Sequence, residues 1–228
     1  MKNSVQICDS VGCTISVEIT QPLPTSKGLA YTLSTDGTYY IVSGIGACTD
    51  TDLVIPSTYE GKPVWEIGEE VFQTSVVSVI IPDSVKRICE NAFSRCSDLK
   101  YTVYDHGLYL GNEKNPYFAL ISVDSPFITS CALHPDTALI ADQAFYHCSK
   151  LTSIVIPDKV TVIGKNAFPD DSSLTTVYYT GTAEKWRQMD VGISDLTDVY
   201  YYLQPGGCYW YYVDGVPTVK NQEGGKSL

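Results

Sequence analysis

Apolar positions recur along this chain in a fixed frame. Leu151, Ile154 and Ile156 are spaced by polar residues and Val155, and the run stops at Pro157; Val160, Ile163-Gly164 and Ala167-Phe168 follow. Subtracting 23 from each number gives Ile128, Cys131, Leu133, His134, Thr137, Ile140-Ala141 and Ala144-Phe145. Subtracting 75 gives Val76, Val79, Ile81-Pro82, Val85, Ile88-Cys89 and Ala92-Phe93, where 75 is one repeat of 23 plus a stretch of 52 that carries an insertion. A degenerate unit precedes these at Leu53, Ile55-Pro56, Val64, Ile67-Gly68 and Val71-Phe72. Leu99, Thr102 and Tyr104 open another unit that loses the frame at Asp105. Leu174, Val177 and Tyr179 open a last one, which gives way to a short helix candidate, Thr182 to Trp186.

The pattern L-x-x-I-x-I-P has period two, so each unit predicts a short strand. Proline ends the strand by removing a donor and fixing φ. The Ile-Gly pair is expected to turn the chain, and Ala-Phe to pack beneath as a small-plus-large step. One such coil cannot bury its own apolar side, whereas stacked coils share a continuous core.

The segments LTSIVIPDKVTVIGKNAFPDDSS and VVSVIIPDSVKRICENAFSRCSD resemble BspA-type leucine-rich repeats of the Treponema type. The lead-in GLAYTLSTDGTYYIVSGIG and the tail CYWYYVDGVPTVK resemble the flanking caps of such proteins from gut bacteria, so the resemblance covers residues 29–219. It implies a β-rich leucine-rich-repeat solenoid: a right-handed coil with a parallel sheet on one face and β-hairpin caps at both ends. Studied members are surface adhesins and protein- or matrix-binding factors, which implies a bacterial surface or secreted location.

Around the repeats, assigned to residues 51–198, the chain divides further. Ile15, Val17 and Ile19 alternate with polar residues, and Val5, Ile7 and Val11 suggest a partner strand, so residues 1–20 read as a hairpin or anchoring segment. A lone hairpin is marginal in water, so it is expected to dock on the solenoid, on another copy or on an assembly. Residues 21–28 read as a linker. Residues 29–50 read as an N-terminal cap hairpin with Asp36-Gly37 at its turn. Residues 105–127 hold the insertion, expected to be a hairpin that projects from the repeat body. Residues 199–220 read as an aromatic C-terminal cap, and 221–228 as a polar tail.

Charge narrows the partners. With 26 Asp and Glu against 15 Lys and Arg, the net charge is -11, which argues against nucleic acid and anionic membrane surfaces. Met1 to Thr20 has no apolar run of signal-peptide length, and no segment is apolar enough to cross a membrane as a helix. Of the eight cysteines, Cys89, Cys96, Cys131 and Cys148 fall on core positions of the frame and are expected to be free, buried thiols. Cys8 and Cys13 are the local pair that a hairpin could bridge. There is no C-x-x-C, no phosphate loop, no G-x-G-x-x-G and no G-x-S-x-G. His134 and His147 share a coil but sit on different sides of it. No catalytic, cofactor or metal residue is assigned.

The outward strand positions carry the functional expectation. In coil order they are Asp52 and Val54, Ser78 and Ile80, Tyr101 and Val103, Ser130 and Ala132, Ser153 and Val155, Thr176 and Tyr178, with one charge among them. Repeat proteins bind through such extended faces, and an uncharged face with Tyr and Ile resembles an interface core. The same composition also satisfies strand propensity alone. The candidate binding residues are Ser78, Ile80, Tyr101, Val103, Ser153, Val155, Thr176 and Tyr178. They are expected to face solvent, so that truncating Tyr101 or Tyr178 leaves the fold nearly unaffected. The expected function is a non-enzymatic, adhesion-like binding module for a protein or glycan partner. The alternative is a structural or receptor-binding subunit of a phage tail or surface appendage, anchored or assembled through residues 1–20.

Overall fold

In every regular coil, alternation places two or three branched side chains on the inner side of a short strand. The next coil repeats them one strand spacing away. The computed structural model describes residues 2–8, 14–20, 23–72, 75–168, 173–191, 198–202 and 209–220, with backbone alone at 2–8, 14–20, 190–191 and 198. It is a β-solenoid of about six turns. Among the described residues the one helix is Ala183–Gln188, whose first turn is capped by the Thr182 hydroxyl.

Two ladders run along the coil. In the front sheet, Ser130–Ala132, Ser153–Ile156, Thr176–Tyr179 and Asp198–Tyr202 pair in parallel, with Ser130, Ser153 and Thr176 in register at the 23-residue step. Asp52–Val54 and Ser78–Ile80 form a separate piece of the same kind. In the second ladder, Leu139–Ile140 pairs in parallel with Val162–Ile163, which pairs with Asp190–Val191. Upstream, Tyr40–Gly44, Lys62–Ile67 and Arg87–Ile88 pair in the same way. At the N-terminal edge, the Ser26 N–H donates to the Val54 carbonyl and its hydroxyl accepts from the Val54 N–H, so that strand is not left open.

The corner after each front strand is one turn used repeatedly. The N–H of Val85, Thr137 and Val160 donates back to the carbonyl of Pro82, His134 and Pro157 respectively. His134 keeps this turn without the proline because its Nδ1 accepts the Asp136 N–H at 3.1 Å. The second corner differs from the expected Ile-Gly turn. The left-handed residue lies two positions later, at Glu70, Asn91, Gln143 and Asn166, with φ between 49° and 57°. Gly164 instead serves close packing, because a Cβ there would sit 2.4 Å from the Asp142 nitrogen of the preceding coil. Phenylalanines stack beneath this corner, Phe72 on Phe93 at 5.2 Å and Phe145 on Phe168 at 4.9 Å.

The insertion does not project. Thr102–Tyr104, Gly107–Leu110 and Ala119–Val123 form an antiparallel meander, and the last of these pairs in parallel with Leu139–Ile140. Tyr109, Leu110, Phe118, Ala119 and Leu120 are buried, and Gly111 bridges to Ile80. The segment is therefore an irregular coil inside the solenoid, because its apolar positions match those of its neighbours. It brings no Ala-Phe corner, and the interior divides at this point into two apolar clusters. Arg87 and Asp142 clasp the two halves. Asp142, 7% exposed, accepts from Arg87 Nε and Nη2 at 3.1 and 2.6 Å, and its other oxygen accepts the Lys165 N–H at 2.8 Å.

Cys96, Cys131 and Cys148 are buried free thiols, and Cys89 is half-buried. Cys8 and Cys13 lie outside the described side chains. Burial pushes the Cys131 thiol up to about 12, and burial with the neighbouring Glu66 carboxylate does the same for Cys89. Between the ordinary thiol value near 9.0 and about 12, the folded chain keeps protons that the unfolded chain releases. This contribution to stability is complete below the lower value and is lost as pH rises towards the upper one. Urea midpoints should therefore fall from about pH 8 to about pH 10.5, and the four thiols should label with a thiol reagent only on unfolding. Phe145→Ala should cost about 3 to 5 kcal/mol in the same denaturant assay, since the ring is fully buried in the stack.

Candidate binding groove

The front sheet has an outer side that the alternation leaves free, and the C-terminal hairpin covers part of it. Tyr209–Val213 extends the front sheet parallel to Asp198–Tyr202, and Val216–Lys220 returns antiparallel. Trp210 is paired with Tyr202 and so lies on the outer row, yet it is 0% exposed. Its Nε1–H donates to the Tyr179 carbonyl at 3.0 Å. Around it pack Tyr178 at 5.4 Å, Tyr202 at 5.1 Å and Tyr212 at 5.1 Å. Val155 is also buried at 6%, and neither Val155 nor Trp210 belongs to the two interior clusters. The outer face thus has a small apolar layer of its own.

Between this layer and the inserted coil runs a groove of about 660 Å³. Ser130, Ser153, Val155 and Tyr178 form its floor, Tyr104 and Asp105 one wall, and the hairpin from Tyr212 to Pro217 the other. Tyr104 is held edge-on by His134 at 4.8 Å and by Tyr117 at 6.2 Å. Partial burial, with Tyr104 and Tyr202 nearby, raises the Tyr212 phenol. Asp105 has φ 49° and its Oδ2 accepts the Ala132 N–H at 2.8 Å. That N–H lies on the edge strand of the front sheet, and the carboxylate takes the place of a neighbouring strand.

Of the eight candidate residues, Ser153, Val155 and Tyr178 meet in this groove, and Thr176 continues their row. Ser78 and Ile80 lie on the separate upstream piece, where the Ser78 hydroxyl donates to Asp52 at 2.5 Å. Tyr101 is not on the face: it packs against the first interior cluster beside Ile88, Phe93 and Ile121, and burial raises its phenol to about 12. Val103 is 56% exposed but stands in the antiparallel meander, paired with Leu108. Tyr178 is not free of the fold either, since it packs on Trp210. Sequence reasoning missed Tyr104, Asp105, Trp210 and Tyr212 as parts of the site. The signals present were the loss of frame at Asp105 and the aromatic density after residue 199.

Other chemistry-bearing groups are separate. His106 Nδ1 faces Asp124 at 3.0 Å on the surface, and His134 stacks on Tyr117 at 3.6 Å. Among the described residues no three of His, Cys, Asp and Glu gather as a metal site. The outer layer depends on one buried indole donor, so Trp210→Phe should cost about 1 to 3 kcal/mol by leaving the Tyr179 carbonyl unpaired. Urea titration followed by circular dichroism measures this, and Tyr178→Ala should also lower the midpoint.

The model of the BspA type leucine rich repeat region matches residues 65–189 in six copies. No curated protein matches the chain. Among solved structures it is similar to a leucine rich repeat protein of T. pallidum, at 22% identity over 78% of this chain and 86% of that one, with a TM-score of 0.38. It is also similar to a leucine rich cell surface protein of Faecalibacterium prausnitzii, at 21% identity over 70% of this chain and 55% of that one, with a TM-score of 0.34. A leucine-rich repeat protein from Bacteroides ovatus is similar at 16% identity over 80% and 71%, with a TM-score of 0.31. The repeats matched by the family model span more than half of the 228 residues, and the chain belongs to the BspA-type leucine-rich repeat family.

Proposed function

We propose that this protein is a non-enzymatic binding module, adhesion-like in role, whose protein or glycan partner seats on the outer face of the front sheet. The observation that carries this reading is the walled groove over Ser130, Ser153, Val155 and Tyr178. A bare sheet offers a flat surface, whereas concave sites with a few convergent polar groups are where ligands are held. The rings of Tyr104, Tyr178 and Tyr212 are each fixed by aromatic neighbours, which lowers the ordering cost of binding. Family resemblance supports a partner-binding role on a bacterial surface or in secreted form. The test is retention of components from host or bacterial surface extracts by the immobilised full chain. A Ser153→Trp variant, which fills the floor, should lose what the native chain retains. Identical retention by both would overturn the groove reading.

A second reading concerns the N-terminus. Lys2–Cys8 and Thr14–Thr20 pair with each other over seven residues each, as a two-stranded sheet of their own. An isolated hairpin is marginal in water, which favours residues 1–20 as an anchor or assembly contact of a phage-tail or appendage subunit. Light-scattering mass of the full chain against a chain starting at Ser26 tests it. A larger assembly lost on truncation is expected under this reading, and equal monomeric masses would sink it.

A further inference from the structure

Resting on that binding reading, we propose that the groove is a saccharide site and takes a short neutral sugar chain. Its chemistry is that of a polyol site. The floor offers the Ser130 and Ser153 hydroxyls, and neither has a partner within the described residues. Hydroxyls both donate and accept, which matches a ligand whose own groups do the same. Three tyrosines, Tyr104, Tyr178 and Tyr212, bring rings held in place by Trp210, His134 and Tyr117. Fixed aromatic faces suit the C–H side of a pyranose. Asp105 is the one acidic side chain among the described residues that line the groove. Because Ala132 occupies its Oδ2, its Oδ1 remains to accept from vicinal hydroxyls.

Two alternatives fit less well. Among the described residues no Lys or Arg lines the groove, and Asp105 disfavours an anion, so a sialylated or sulfated chain lacks its counter-charge. An extended peptide adding a strand would need the open edge of Ser130–Ala132, and the Asp105 carboxylate already takes the Ala132 N–H there. The dimensions agree with a sugar. Three floor strands at roughly 4.8 Å spacing give a length of about 10 Å, and the volume of about 660 Å³ lies within the usual range for ligand sites.

The experiment is isothermal titration of the full chain with cellohexaose, maltohexaose, xylohexaose, mannohexaose and lacto-N-tetraose, with sialyllactose and a heparin hexasaccharide as anionic counterparts. At least one neutral sugar should bind, with affinity nearly independent of salt. Tyr104→Ala and Ser153→Trp should each weaken it by about tenfold or more. If Tyr104→Ala fails to fold by circular dichroism, Ser130→Trp, on an exposed floor position, replaces it. No binding by any neutral sugar, preference for the anionic pair, or binding untouched by the groove variants would each overturn the proposal. An extract component lost by Ser153→Trp without any sugar binding would leave the binding-module reading standing and this inference refuted.

Discussion

Everything in this molecule depends on each coil having a neighbour at strand spacing. A single coil contributes a short front strand, a second short strand and one phenylalanine corner, and none of these can exclude water alone. Ile154 has Cys131 on one side and Val177 on the other, at the same register in adjacent strands. The ladder hydrogen bonds and the apolar contacts therefore form together or not at all, as expected for a quasi-one-dimensional repeat. The corner geometry follows from the same stacking. Gly164 is small because the preceding coil passes against it, and the left-handed residue next to each Ala-Phe step brings the chain round to the next front strand.

The inserted coil is where this rule is strained and repaired. It supplies buried side chains such as Tyr109 and Leu120 but no phenylalanine corner, so the Phe72–Phe93 and Phe145–Phe168 stacks stay separate. Polar side chains bridge the irregular stretch. Asn112 donates to the Ile81 carbonyl at 3.2 Å and to Asp83 at 2.7 Å, while Asn115 donates to the Asp136 carbonyl at 2.8 Å. With the Arg87–Asp142 clasp on another side of the coil, these contacts hold the two apolar clusters as one rod. Buried charge is tolerated in the clasp because both Asp142 oxygens are satisfied.

The repeat, its 23-residue register and the inward side chains were legible because period two fixes which side of a strand a residue occupies. Ile154, Ile156 and Phe168 needed nothing more. Alternation does not say what later lies on the outer side. Alternation predicts Val155 and Tyr178 on the outer row and exposed, whereas the hairpin that packs on that row, through Trp210 on Tyr178, comes some 30 residues or more later in the chain. Tyr101 failed for another reason. The frame is lost just after it, and the ring packs against the first interior cluster and lines a small cavity beside Phe93 and Ile121. The insertion was recognisable as antiparallel strands, but its burial follows from pairing with Leu139–Ile140, which no local pattern announces. Tyr104 and Asp105 acquire their place in the groove through the same non-local pairing.

The groove's two walls belong to different parts of the rod: one to the inserted coil, the other to the hairpin that closes the last coil. The front strands of the coils that begin at Ile128, Leu151 and Leu174 lie between them. Its span is therefore counted rather than continuous. Gain of one 23-residue unit would move the walls apart by roughly 4.8 Å, and loss of one would bring them together by as much, with every remaining contact unchanged in kind. A solenoid built this way changes the length of such a groove in whole-repeat steps, without redesigning a single side chain.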